Sequence, residues 1–130
     1  MPYAINHIHL KSSDPEKTAA WWVKAFNFKI EGDATRVWGD RFIRCTSEGG
    51  LVVNISGPRR AETLGPGDAK AHFGLEHFGI DSEDLEKDIE RLEALGAKLV
   101  EGPISYGDNP RICFIAAPGE VRVELIEKKG

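Results

Sequence analysis

The chain has 130 residues, 41% hydrophobic and 29% charged. This is the length of one domain and an ordinary globular composition, which excludes a multidomain machine and a disordered chain. Seventeen Lys and Arg against 21 Asp and Glu leave a net charge of −4, so neither nucleic acid nor a membrane surface is an expected partner. No apolar run approaches the roughly 18 residues of a membrane span. The opening Met1-Pro2-Tyr3-Ala4-Ile5-Asn6 has no basic segment leading into an apolar one, and the expected location is the cytoplasm. Cys45 and Cys113 lie in apolar runs without disulfide or zinc-ribbon spacing and read as reduced thiols.

In chain order, Ile5 to Leu10 alternates as a half-buried strand does, with Ile8 and Leu10 on one side and His7 and His9 on the other. Asp14-Pro15 offers an N-cap and a first-turn proline. Ala19, Trp22, Val23 and Phe26 then recur at helical spacing as far as Asn27, a plausible helix end. Short β-like runs follow at Phe28 to Ile30, Arg41 to Thr46 and Leu51 to Ser56. Ser56 to Phe73, with Gly57, Pro58, Gly65, Pro66 and Gly67, has linker chemistry.

The pattern then begins again. Glu76 to Ile80 reads as a strand, Asp81 to Asp84 brings carboxylates to a helix start, and Leu85, Ile89, Leu92 and Leu95 form one helical face ending at Gly96. Lys98 to Val100, Arg111 to Ala116 and Val121 to Ile126 are the closing β-like runs. Sliding the chain by 70 residues aligns the halves without a gap: His7 on His77, Leu10 on Ile80, Asp14 on Asp84, Glu31 on Glu101, Gly32 on Gly102, Arg41 on Arg111, Gly49 on Gly119 and Val53 on Val123. Each half is therefore strand, helix, three strands. Module 1 spans about residues 1–58, a tether about 59–73, and module 2 about 74–130, all within one domain.

Period-2 alternation sends His7 and His9, then His77 and Gly79, away from the helix-packed face. In the last strand, if Val121, Val123 and Leu125 pack on the helix, Glu124 projects oppositely beside Arg122. A pseudo-twofold repeat lets His7 and His77 meet with Glu124. Two imidazoles and a carboxylate make a facial set that suits Fe(II), Mn(II), Zn(II) or Ni(II), with positions left open for substrate or water. Glu124 lies 47 positions after His77, and the same step from His7 reaches Asn54.

Asn6-His7-Ile8-His9-Leu10, Trp21-Trp22, Phe26-Asn27-Phe28, Glu76-His77-Phe78-Gly79-Ile80, Leu95-Gly96-Ala97 and Pro118-Gly119-Glu120-Val121-Arg122-Val123-Glu124-Leu125 together resemble the vicinal oxygen chelate superfamily. That is the glyoxalase, bleomycin-resistance and extradiol-dioxygenase group. The likeness covers essentially the whole chain. It implies an α+β fold of two βαβββ modules whose curved mixed sheets enclose a metal cleft, with a ligand His on each opening strand and a closing-strand Glu that falls on Glu124. Four-ligand members such as glyoxalase I carry a further Glu or Gln where this chain has Asn54. An amide oxygen is at best a weak ligand, and Asn cannot abstract a proton.

The expected function is thus a divalent-metal enzyme that chelates vicinal oxygens of a small substrate, with glyoxalase-like lyase or isomerase chemistry. A small Fe(II) extradiol-type dioxygenase, a metal-free drug-binding protein of the bleomycin-resistance kind and a fosfomycin-type thiol transferase are the alternatives. The metal falls to His7, His77 and Glu124. Proton transfer falls to His9, whose ordinary pKa of about 6.5 suits it, and to Glu124. Substrate binding falls to Arg122 and Asn54, with Arg41, Arg44 and Arg111 as weaker anion partners. Trp21 and Trp22 read as core and dimer contacts, His72 as solvent-facing, and Arg59-Arg60 as part of a polar tether. A homodimer is expected, with modules paired within one chain or swapped between two.

Overall fold

The structure, a computed structural model, describes residues 2–128. The chain divides between Gly65 and Pro66 into two compact units, each built the same way. In unit 1 the order is β1 (His7–Lys11), α1 (Pro15–Phe26), β2 (Lys29–Thr35), β3 (Arg41–Thr46) and β4 (Val52–Ser56). Unit 2 has β5 (Phe78–Ser82), α2 (Leu85–Ala94), β6 (Lys98–Ile104), β7 (Ile112–Ala117) and β8 (Val121–Glu127). Each sheet is mixed and open. The opening strand runs parallel to the closing one, in the orders β1-β4-β3-β2 and β5-β8-β7-β6.

Both helices start where the sequence places them, because Asp14 and Asp84 each accept the backbone N–H three residues on, from Lys17 and Lys87, at 3.1 Å. Each acidic cap also meets the positive end of the helix dipole. Helix α1 stops at Asn27, whose left-handed φ of 58° is tolerated by a short polar side chain. Helix α2 ends at Ala94, one residue before Leu95, which becomes the C-cap instead of the last residue of the helical face. Gly96 follows it with φ 97°.

The repeat extends to side-chain bonds at the same 70-residue step. Ser12 Oγ shares a 2.6 Å hydrogen bond with Thr18 Oγ1, and Ser82 Oγ donates to Asp88 Oδ2 at 2.6 Å. Arg41 pairs with Glu16 at the start of α1, as Arg111 pairs with Glu86 at the start of α2. These two arginines are thereby occupied on the helix side of their sheets.

Several strand boundaries move. β1 begins at His7 and β5 at Phe78, later than the alternation suggested, so Ile5, Glu76 and His77 precede their strands. β2 and β6 run well beyond the predicted Ile30 and Val100, to Thr35 and Ile104. The polar residues there carry no apolar alternation, but they pair with β3 and β7 across register shifts that begin at Ile30 and Leu99.

One sheet face in each unit packs on the helix. Trp22, Ile43, Cys45, Val53 and Ile55 form the core of unit 1, and Leu85, Leu92, Cys113, Ile115, Val123 and Leu125 that of unit 2. Burying a large apolar side chain is worth about 1.5–3 kcal/mol. Trp22 is wholly buried and stacks on Phe28 with ring centroids 5.0 Å apart, while Trp21 is only partly buried. Burial pushes the Cys45 thiol up, and that of Cys113 up to about 11, so both stay protonated thiols, inert at neutral pH.

The segment read as a tether is pinned at both ends. Arg59 lies over the Trp38 ring at 4.2 Å, and the Arg60 N–H donates to the Trp38 carbonyl. In unit 2, Gly67 packs so closely that a Cβ would run into the Gly119 carbonyl oxygen, and Ala69 is buried. His72 is exposed, although both its ring nitrogens face carbonyl oxygens, those of Lys70 and Leu75. No helix among the described residues is long and apolar enough to cross a membrane.

Candidate metal and proton-transfer site

The face of each sheet turned away from its helix carries the polar residues, and strand register places them in a row. In unit 1, His9 stands opposite Asn54 on β4, and Asn54 opposite Arg44 on β3. In unit 2 the equivalent row is Gly79, Glu124 and Phe114. As expected from the valine-leucine alternation of β8, Val123 and Leu125 are buried in the core while Glu124 projects from the other face.

Unit 2 brings His77 and Glu124 together. His77 Nε2 lies 3.2 Å from Glu124 Oε1, and His77 Nδ1 lies 3.3 Å from Glu76 Oε1. The imidazole also meets Phe114 edge to face, with centroids 5.1 Å apart. Arg122 is 7% exposed and its guanidinium is committed: Nη1 donates to the Ala69 carbonyl at 2.9 Å, Nη2 to Glu101 at 3.2 Å, and Nε sits 3.2 Å from Glu76 Oε1 without the alignment of a hydrogen bond. It lies 3.9 Å from the Phe114 ring centroid. A substrate anion reaching Arg122 would compete with Glu76 and Glu101.

Unit 1 is arranged differently. His7 is exposed at the start of β1, and its Nδ1 bonds Asn6 Oδ1 at 2.9 Å. His9 Nε2 bonds Ser56 Oγ at 2.7 Å, and its ring meets Phe42 edge to face at 5.5 Å. Partial burial, then the charges of Lys11 and Arg36, hold the His9 pKa below the ordinary imidazole value. The neutral form of the His9 ring is thereby favoured. Asn54 is 8% exposed, and its Oδ1 is buried without a hydrogen-bond partner, an uncompensated acceptor that costs stability unless a ligand fills it. Arg44 is exposed beside it in register and, unlike Arg122, carries no ion pair among the described residues.

Nearby, Asp40 is buried and paired with Arg36, which the rings of Trp38 and Phe42 flank at 4.7 and 4.2 Å. The Arg36 guanidinium holds the Asp40 carboxyl below its usual range. Sequence reading passed over Asn6 and Glu76. The signal that could have found them is that each immediately precedes a candidate ligand histidine and that they match at the 70-residue step.

The donors present suit a divalent metal. Two atoms bonded to one ion at about 2.1 Å stand roughly 3.0–3.4 Å apart at right-angle to tetrahedral bond angles, and His77 Nε2 and Glu124 Oε1 are 3.2 Å apart. At the positions matching His77 and Glu124, unit 1 offers the His7 imidazole and the unpartnered Asn54 Oδ1. Within neither unit do three His, Cys, Asp or Glu side chains gather among the described residues.

No curated protein matches the chain, but solved structures do. A glyoxalase family protein from Bacillus cereus is 16% identical, with a TM-score of 0.85 over 100% of this chain and 97% of that one. A mutant of the genomically encoded fosfomycin resistance protein FosX from Listeria monocytogenes, complexed with Mn(II) and 1S,2S-dihydroxypropylphosphonic acid, is 20% identical, with a TM-score of 0.74 over 99% and 93%. A glyoxalase family protein from Enterococcus faecalis is 18% identical, with a TM-score of 0.76 over 95% and 97%. At these identities the likeness is one of fold. Residues 4–125 match the family model itself, and with two βαβββ units in place the chain belongs to the Glyoxalase/Bleomycin resistance protein/Dioxygenase superfamily.

Proposed function

We infer that this protein is a divalent-metal-dependent enzyme of the lyase or isomerase type, acting on a small acid with adjacent oxygens. The observation that carries the reading is the His77–Glu124 pair, at 3.2 Å on the polar face of unit 2, in the positions where unit 1 has His7 and Asn54. His77 and Glu124 hold the metal with His7 as third ligand, His7 coming from the same chain or from a second copy. The Mn(II) bound to the FosX neighbour supports this. When bound, such an ion supplies Lewis-acid stabilisation of negative charge developing on a substrate oxygen.

The chain's own residues do the rest. His9 accepts the substrate proton: in the tautomer whose Nε2–H donates to Ser56 Oγ across their 2.7 Å contact, Nδ1 presents its lone pair, and the lowered pKa favours the neutral ring. Asn54 sits opposite His9 and cannot take that proton; its unpartnered Oδ1 accepts from a substrate hydroxyl or serves as a weak further ligand. Arg44, the unpaired cation of the row, takes the acid group of the substrate in place of Arg122. The phosphonic acid in the FosX complex, a diol with an anionic end, has this combination of groups.

The test is exchange of a substrate α-proton with deuterated water across a panel of small hydroxy and keto acids. Exchange should require added divalent metal, vanish in His77→Ala and fall about 10²–10⁴-fold in His9→Gln. Exchange indifferent to a chelator would overturn the reading, and oxygen uptake restored by Fe(II) alone would replace it with the dioxygenase.

A further inference from the structure

The two candidate ligand histidines share a device that differs in strength. Each has its Nδ1 taken by the side chain of the residue before it, His7 by Asn6 Oδ1 at 2.9 Å and His77 by Glu76 Oε1 at 3.3 Å. A neutral imidazole binds metal through the nitrogen that lacks a proton, so a fixed acceptor at Nδ1 keeps the proton there and leaves Nε2 as donor atom. In His77, Nε2 faces Glu124 at 3.2 Å, so a carboxylate stands at each ring nitrogen and Glu76 is the one that draws a proton to Nδ1.

In unit 2 the acceptor is itself held. Arg122 Nε lies 3.2 Å from the same Glu76 oxygen that meets His77. The Ala69 carbonyl and Glu101 anchor Arg122 in turn, and it packs on Phe114, whose ring meets the His77 ring. Among the described residues of unit 1, no ion pair or ring contact backs Asn6 in this way. At the 70-residue step Arg122 matches Val52 and Phe114 matches Arg44, so Asn6 stands alone behind His7.

We propose that Glu76, clamped by Arg122, is the positioning residue that presents His77 Nε2 beside Glu124, and that Asn6 performs the same task for His7 more weakly. His77 is then the preorganised histidine and His7 the adaptable one. The part that concerns metal rests on the reading under Proposed function; the orientation of His77 does not.

Two measurements on the full-length protein separate the two. In ¹⁵N-histidine-labelled protein without metal, the Nδ1-attached proton of His77 should be visible and protected in wild type, lost in Glu76→Ala and retained in Glu76→Gln, whose amide oxygen still accepts. Titration with Mn(II) should show roughly 10–100-fold weaker binding in Glu76→Ala, a smaller loss in Glu76→Gln, and only a few-fold loss in Asn6→Ala. Arg122→Met, which removes no atom touching the imidazole, should weaken both signals. An Nδ1 proton and an Mn(II) affinity both unchanged in Glu76→Ala would overturn the proposal. Wild-type protein that shows the Glu76-dependent proton but binds no Mn(II) would uphold the orientation of His77 and overturn the metal reading instead.

Discussion

The same register line crosses both sheets with opposite chemistry. In unit 1 it reads His9, Asn54, Arg44; in unit 2 it reads Gly79, Glu124, Phe114. Two copies of one backbone plan thus carry different side chains along the same line. Unit 1 presents an imidazole whose pKa is lowered, an amide oxygen without a hydrogen-bond partner and an arginine with no ion pair among the described residues, which suits proton transfer and anion binding. Unit 2 presents a carboxylate against an imidazole and backs them with an aromatic ring and a clamped arginine, which suits holding an ion. The caps and the helix-side ion pairs recur in both halves at the 70-residue step, whereas the residues of the opposite face differ.

The sharpest way to test this division is to exchange the carboxylate. Glu124→Gln should weaken Mn(II) binding by more than the roughly 10–100-fold cost of losing an outer partner, whereas Asn54→Glu should strengthen it by giving unit 1 the group that unit 2 owns. Calorimetric titration reads both, and equal affinity in the two variants would erase the proposed asymmetry.

A second comparison concerns the cores. Trp22 and Leu92 occupy matching positions, and both are wholly buried. Trp22→Ala should cost about 3–5 kcal/mol and Leu92→Ala about 2–5 kcal/mol in chemical unfolding, since each removes a large, wholly buried helix side chain. If only one variant moved the transition, the units would not share one cooperative fold.

The smallest effect separates the hairpins. Asp40 has no acidic counterpart in unit 2, where Pro110 takes its place. Its folded pKa lies below the unfolded value because Arg36 bonds the carboxylate. The stability from this pair is therefore full above the ordinary carboxylate pKa of about 3.9 and is lost as pH falls through the lower folded value. Asp40→Asn should lower stability at neutral pH and flatten its decline below about pH 4. An unchanged acid-unfolding curve would show that the pair contributes nothing.

Much of this was legible in the residues. Local signals, Asp14 and Asp84 before helical runs, Asn27 and Gly96 after them and alternation in β8, were enough to locate the helices and the direction of Glu124. The 70-residue repeat tied the two halves into one plan. The lengths of β2 and β6 were not legible, because their ends are held by pairing across register shifts that leave no apolar period.

The sequence alone thus determined the fold class and nominated the polar row, since periodicity and capping act within a few residues. What each member of that row can do was decided only by tertiary structure. Composition could not distinguish Arg122 from Arg44, or reveal that Glu76 serves both an imidazole and a guanidinium. Whether a charge is committed or available depends on neighbours up to 53 positions away, as with Arg122 and Ala69. Such contacts exist only once the strands have paired and the side chains have left water.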